Sequence, residues 1–188
     1  MPDGELHYAP DFLPADIADQ HLNDIIAATP WEQSSLHIAG REYLIPRLNA
    51  WYGDKATHYG YSGMRLDLNP WTAQLSALKQ QVEAATGSAF NSALLNYYRS
   101  GSDSVDWHSD DERELGSRPV IAALSIGATR RFDLRHKTRK DLRYKLELQH
   151  GSLLVMAGAM QQHWAHRIAK TKDHCEARIS ITFRQVVT

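Results

Sequence analysis

A histidine and an aspartate one residue apart, His108-Ser109-Asp110, are the positions in this 188-residue chain whose types and spacing best suit a bound metal. Two neutral imidazoles and one carboxylate on one face of an iron(II) ion leave the opposite face open for a cosubstrate and oxygen, which is what a mononuclear non-haem iron oxygenase requires. The triplet supplies two of the three ligands. Alone it is weak evidence, because ten histidines and many aspartates readily produce one His-x-Asp by chance. The third ligand has to come from His163, His166 or His174, and spacing does not choose among them.

A second group of residues suits an anion. The segment Arg178 to Arg184 puts Arg178, Ser180, Thr182 and Arg184 on one face of a strand and Ile179, Ile181 and Phe183 on the other. Two guanidiniums and two hydroxyls on one face would pair bidentately with a dicarboxylate such as 2-oxoglutarate. The competing explanation is an edge strand with a polar outer face.

These side chains need elements to hold them. Ile17, Leu22, Ile25 and Ile26 predict a helix over 15–28, and Trp71, Leu75, Leu78, Val82 and Ala85 predict another from Pro70 to Gly87. Beyond Gly87 come short apolar or alternating runs at 92–98, 120–126, 131–135, 144–148, 152–156 and 178–187. Such a series predicts an antiparallel sandwich or barrel capped by helices. Residues 31–68 hold Trp31, Tyr43, Trp51, Tyr52, Tyr59 and Tyr61 among many glycines, which makes a packed flap or a surface for stacking on bases.

The length suits one domain with one site. No apolar run approaches the roughly 20 residues of a membrane span, and the opening residues lack the pattern of a signal peptide. A single cysteine, Cys175, precludes an intramolecular disulfide and agrees with a reducing compartment, so we expect a cytoplasmic protein. The net charge of -1 excludes a polycation, and any nucleic acid would have to meet charge concentrated on one face. The stretch 130–145 carries eight Lys and Arg against Asp133 and Asp141; it is either a solvated hairpin or a phosphate-contacting loop.

Several motifs recur in one order: Asn96-Tyr97-Tyr98, Asp103 to Glu112, His150 to Met156, His163-Trp164-Ala165-His166-Arg167, and Arg178 to Arg184. From about residue 35 to 188 the chain thereby resembles the AlkB family of iron(II)- and 2-oxoglutarate-dependent nucleic-acid demethylases, closest to members that prefer single strands. The resemblance implies an α+β fold over 1–188: a double-stranded β-helix, or jelly roll, at about 91–188, preceded at about 1–90 by a helical flank and an aromatic-rich nucleotide-recognition flap. It implies His108, Asp110 and His166 as metal ligands. Asn96, Tyr98, Arg178, Thr182 and Arg184 match its contacts to 2-oxoglutarate, with Ser180 where other members have Asn.

Substrate residues follow in the same way. Asp111 and Glu112 match acids that face the exocyclic edge of a damaged base and would suit the positive charge of 1-methyladenine or 3-methylcytosine; otherwise they are solvated loop acids. Tyr59 and Tyr61 match aromatics that close over a flipped base, and Trp51 is grouped with them. Arg135, Lys137, Arg139 and Lys140 are the expected backbone contacts. Ile38 and Ala39 precede Gly40 where members acting on duplex DNA have an aromatic wedge, so single strands should be preferred. The implied reaction uses iron(II), 2-oxoglutarate and oxygen to remove N-methyl groups from DNA or RNA as formaldehyde, with succinate as coproduct, in a monomer that binds no membrane. The alternatives are an oxygenase acting on a protein or small molecule, and a silent nucleic-acid-binding module.

Overall fold

The structure, a computed structural model, describes residues 1–38, 40–55 and 67–187. Tyr59 and Tyr61 of the expected base-stacking pair, and Ala39 of the missing wedge, lie outside the described residues. Among those described, no helix is long and apolar enough to cross a membrane.

Chain order begins with strand β1 (Glu5–Ala9), helix α1 (Ala15–Ala28) and a hairpin of β2 (Ser35–Ile38) and β3 (Arg41–Leu44). Strands β4 (Leu48–Gly53) and β5 (Leu68–Asn69) lead to helix α2 (Ala73–Thr86). Next come β6 (Ser92–Tyr98), β7 (Val105–His108), β8 (Ile121–Gly127), β9 (Arg130–His136) and β10 (Arg143–Leu148). The last elements are β11 (Ser152–Ala157), the short helix α3 (Met160–His163), β12 (Trp164–Ile168) and β13 (Arg178–Arg184).

A seven-stranded sheet in the order β1-β11-β8-β13-β6-β4-β5 stands with a four-stranded sheet in the order β10-β9-β12-β7. Few helices and two largely antiparallel sheets fit the expected jelly roll. The first ninety residues give three strands to the large sheet, β1, β4 and β5. Helix α2 begins three residues later than Pro70 suggests, because the Thr72 hydroxyl accepts from the Leu75 backbone N–H at 3.1 Å and caps it there.

Two apolar clusters explain this layering. One buries Ile179, Ile181 and Phe183 of β13 with Leu75, Leu78 and Val82 of α2, so the helix covers one face of the large sheet. Truncating Phe183 to Ala there would cost about 3–5 kcal/mol. The second gathers Leu94, Tyr98, Ile121, Phe132, Leu134 and Trp164 from both sheets. Several aromatics of 31–68 are packing residues: Trp51 and Tyr52 are buried, and Trp31 packs on Tyr97 with ring centroids 5.2 Å apart.

Strand β13 lies between β8 and β6, so it is central and not an edge strand. Its entry needs a glycine. Gly127 ends β8 at φ +94, opposite Arg178, and a Cβ there would collide with the Ala177 carbonyl oxygen.

Candidate active site

His108 ends β7 and His166 sits in β12, and the two strands pair with these residues opposite each other. That register brings His166, and neither His163 nor His174, opposite His108. The imidazole centroids are 4.3 Å apart, and His166 Nε2 lies 3.7 Å from Asp110 Oδ2. Ligand atoms of His108, Asp110 and His166 all fall within 4.8 Å of one another, close enough for one ion. His163 is elsewhere, at the end of α3 and stacked on His136; His174 lines a polar cleft with Cys175.

Protonation states suit a divalent metal. Burial pulls the His166 imidazole down to about 3, and the neighbouring His108 adds to this. Burial likewise lowers His108, against the pull of Asp110. For Asp110 burial acts upward, but Arg184 and the two imidazoles outweigh it and hold the carboxyl below its ordinary value. The site therefore offers two neutral nitrogens and one carboxylate near pH 7. His108 Nδ1 donates to the Asp106 carbonyl at 2.8 Å, which leaves Nε2 as the nitrogen that could hold a metal.

Surrounding residues fix the triad. Arg184 Nη2 donates to Asp110 Oδ1 at 2.6 Å, and the Asp110 backbone N–H donates to Gln161 Oε1 at 2.9 Å. Ser109 donates to the Trp164 carbonyl at 2.9 Å and ties the loop to β12. Arg47 donates from Nε to Asn96 Oδ1 at 2.8 Å, turning the amide nitrogen of Asn96 the other way. Neither Gln161 nor Arg47 was singled out from the sequence. Arg47 follows Pro46 in an irregular stretch and gives no periodic signal of burial.

One cavity collects the expected cosubstrate residues. Asn96, Tyr98, Arg178, Ser180, Thr182 and Arg184 line it together with His108, Asp110 and His166. Arg178 is buried; its Nη2 donates to Ser125 Oγ at 2.8 Å, while Nε and Nη1 have no protein partner among the described residues. A buried cation with unused donors costs several kcal/mol unless an anion completes it. Burial also lowers the pKa of Arg178. The donor set and these unused guanidinium N–H groups fit an iron(II) ion and a dicarboxylate such as 2-oxoglutarate. Iron(II), 2-oxoglutarate and oxygen are the cosubstrate set that the three ligands and the arginine pair would serve.

A 2OG-Fe(II) oxygenase family model matches residues 5–184. The chain belongs to the 2OG-Fe(II) oxygenase superfamily. It is similar to the alpha-ketoglutarate-dependent dioxygenase alkB homolog 3 of Rattus norvegicus, 44% identical over 94% of this chain and 62% of that protein. It is also similar to the DNA oxidative demethylase ALKBH2 of Homo sapiens, 36% identical over 81% of this chain and 61% of that protein. The chain thus spans less than two thirds of the length of these relatives. In fold this superfamily member is like the solved structure of OsALKBH1, with a TM-score of 0.68 at 16% identity over 96% of this chain and 97% of that one.

The other expected residues are scattered around this candidate site. Asp111 is exposed and Glu112 half-buried, both just beyond Asp110. Lys137 Nζ pairs with Asp111 Oδ2 at 3.0 Å and donates to the Gln161 carbonyl at 2.8 Å. Arg139 pairs with Asp3 at 3.3 Å, and Lys140 is exposed in the turn between β9 and β10. Arg135 lies over the Trp107 ring. Trp51 is buried in the cluster with Tyr98 and does not line the cavity.

Proposed function

We propose that this chain oxidatively demethylates N-alkylated bases, 1-methyladenine and 3-methylcytosine foremost, in single-stranded DNA and secondarily in RNA, releasing formaldehyde and succinate. The observation that carries the oxygenase part is the meeting of His108, Asp110 and His166 with Arg178 and Arg184 in one cavity. Support for the substrate comes from the relatives named above and from the acid pair that directly follows the metal ligand.

With iron(II) and 2-oxoglutarate bound, the centre would supply the oxidising power that hydroxylates an N-methyl carbon. The chain's own residues position and exclude. Arg178 and Arg184 would hold the two ends of the cosubstrate, and Ser180, Thr182, Asn96 and Tyr98 would complete its hydrogen bonds. Asp111 and Glu112 would accept from the exocyclic amino group and offset the charge of the methylated ring. Tyr59 and Tyr61 would stack on the extruded base, and Trp51 is grouped with them. Lys137, Arg139 and Lys140 would meet the backbone beside Asp111, as would Arg135 on the adjoining sheet face. Without an aromatic wedge at Ile38-Ala39, duplex substrates would be handled less well. We place the protein in the cytoplasm as a monomer.

The test incubates the protein with iron(II), 2-oxoglutarate and a single-stranded oligonucleotide carrying 1-methyladenine, and weighs the oligonucleotide by mass spectrometry. Loss of one methyl group, dependent on 2-oxoglutarate, is the expected result. Turnover of 2-oxoglutarate with no loss from DNA or RNA would point to a protein or small-molecule substrate. Equal repair of single and double strands would remove the strand preference alone.

A further inference from the structure

Trp107 has no part in the chemistry described above, although it adjoins the metal ligand His108. Strand pleating sends His108 into the cavity and Trp107 onto the outer face of the small sheet. There the guanidinium carbons of Arg135 and Arg167 lie 4.2 and 4.5 Å from the indole centroid. Arg167 also donates to Asp133 at 2.9 Å, and Arg135 has no carboxylate partner among the described residues. Register adds more cations to this face: Arg143 stands opposite Arg135, and Lys145 opposite Asp133. In a chain of net charge -1 this is a local concentration, not a reflection of overall basicity.

Beside this cluster runs a groove of about 600 Å³, lined by His108, Trp107, Arg167 and Lys170 on one side and by exposed Tyr43 and Leu44 of β3 on the other. His108, Val105 and Ile168 line both the groove and the cavity with Asp110 and His166, so the two adjoin across these side chains. A guanidinium stacked on an indole keeps its in-plane N–H edge available to an anion and has already lost much of its rotamer freedom. Aromatic and apolar walls with cations alongside suit a single strand, whose bases stack while its phosphates are neutralised.

We propose that the Arg135–Trp107–Arg167 stack and the groove beside it seat the phosphodiester backbone and flanking bases of a single strand next to the target base. The inference rests on the nucleic-acid substrate proposed above and locates the path of the strand. It assigns Arg135 to this stack with Arg167, and adds Trp107, Lys170 and Tyr43 to the surface.

Fluorescence anisotropy with a labelled, unmethylated oligodeoxythymidine of about 15 nucleotides, titrated with the full chain from roughly 50 to 200 mM salt, tests it. Removing one cation from a phosphate of a single strand lowers the slope of log affinity against log salt by about 0.7, so the double variant Arg135→Gln/Arg167→Gln is expected to reduce it by about 1.4 and to bind about tenfold more weakly. Trp107→Leu keeps every charge; it should weaken binding about threefold with the slope retained. Lys79→Gln, on α2 against the large sheet, should change neither, and circular dichroism checks that each variant is folded. Wild-type binding that the double variant retains in full, or that Lys79→Gln reduces as much, would overturn the groove and leave the nucleic-acid substrate standing. A wild-type chain that does not bind the oligonucleotide would overturn both.

Discussion

Arg184 reaches across 2.6 Å to Asp110 Oδ1, and both side chains are 2% exposed. The guanidinium that lines the cavity thus also holds the carboxylate proposed to bind metal, leaving Oδ2 toward His166. Metal binding and cosubstrate binding would then share one side chain.

Arg184→Gln should therefore impair both. The buried carboxylate loses its cation, its pKa rises, and affinity for manganese(II) as a redox-silent probe falls by about 10- to 100-fold, as for other residues that orient metal ligands. Titration followed by electron paramagnetic resonance measures this. Unchanged manganese affinity would mean that Arg184 serves the cosubstrate alone.

Asp110→Ala removes the only carboxylate of the triad and should abolish 2-oxoglutarate consumption, while wild type stripped by a chelator should recover it when iron(II) is returned. Succinate release is the readout. Turnover by Asp110→Ala would take Asp110 out of the metal shell.

Gln161→Leu leaves the Asp110 backbone N–H buried without its acceptor. The expected cost is about 1–3 kcal/mol in urea unfolding, together with weaker metal binding because the loop shifts. Gln161→Glu keeps an acceptor oxygen and should recover part of both. A leucine variant as stable as wild type would show that water replaces the glutamine.

Acid should destabilise the metal-free protein. The folded pKa of His166 is about 3, below the unfolded value of 6.5, so below pH 6.5 the unfolded chain takes up a proton that the folded chain refuses. Stability is full above that value and is lost as pH falls toward 3. At pH 5 the loss from His166 is about 2 kcal/mol, from roughly 1.4 kcal/mol per pH unit, and His108 acts in the same direction. Urea unfolding in chelator at pH 7 and pH 5 should show the difference; equal midpoints would mean that water reaches both imidazoles.

Where local pattern carried the information, the sequence was legible. The alternation of 178–184 separates cavity from core as expected, and β6 spans the expected residues. Contacts between distant segments were not legible. Strand β1 is five residues long and pairs with β11 almost the whole chain away, while β12 carries Trp164-Ala165-His166-Arg167-Ile168 with no clean alternation. Choosing His166 over His163 and His174 from the residues alone needed the β7–β12 register. Arg47 and Gln161 were not singled out because their burial depends on partners at Asn96 and Asp110, 49 and 51 positions away.

The central place of β13 also bears on synthesis. This strand follows every other element in the sequence, yet it joins β6 to β8 through pairings between distant positions, such as Arg184 with Ser92 and Ser180 with Ser125. On the ribosome the large sheet stays in two unconnected parts until residue 184 has emerged, and long-range pairing of this kind folds slowly. A nascent chain that ends before residue 178 carries His108, Asp110 and His166 but lacks Arg178 and Arg184, which complete their cavity in the folded protein.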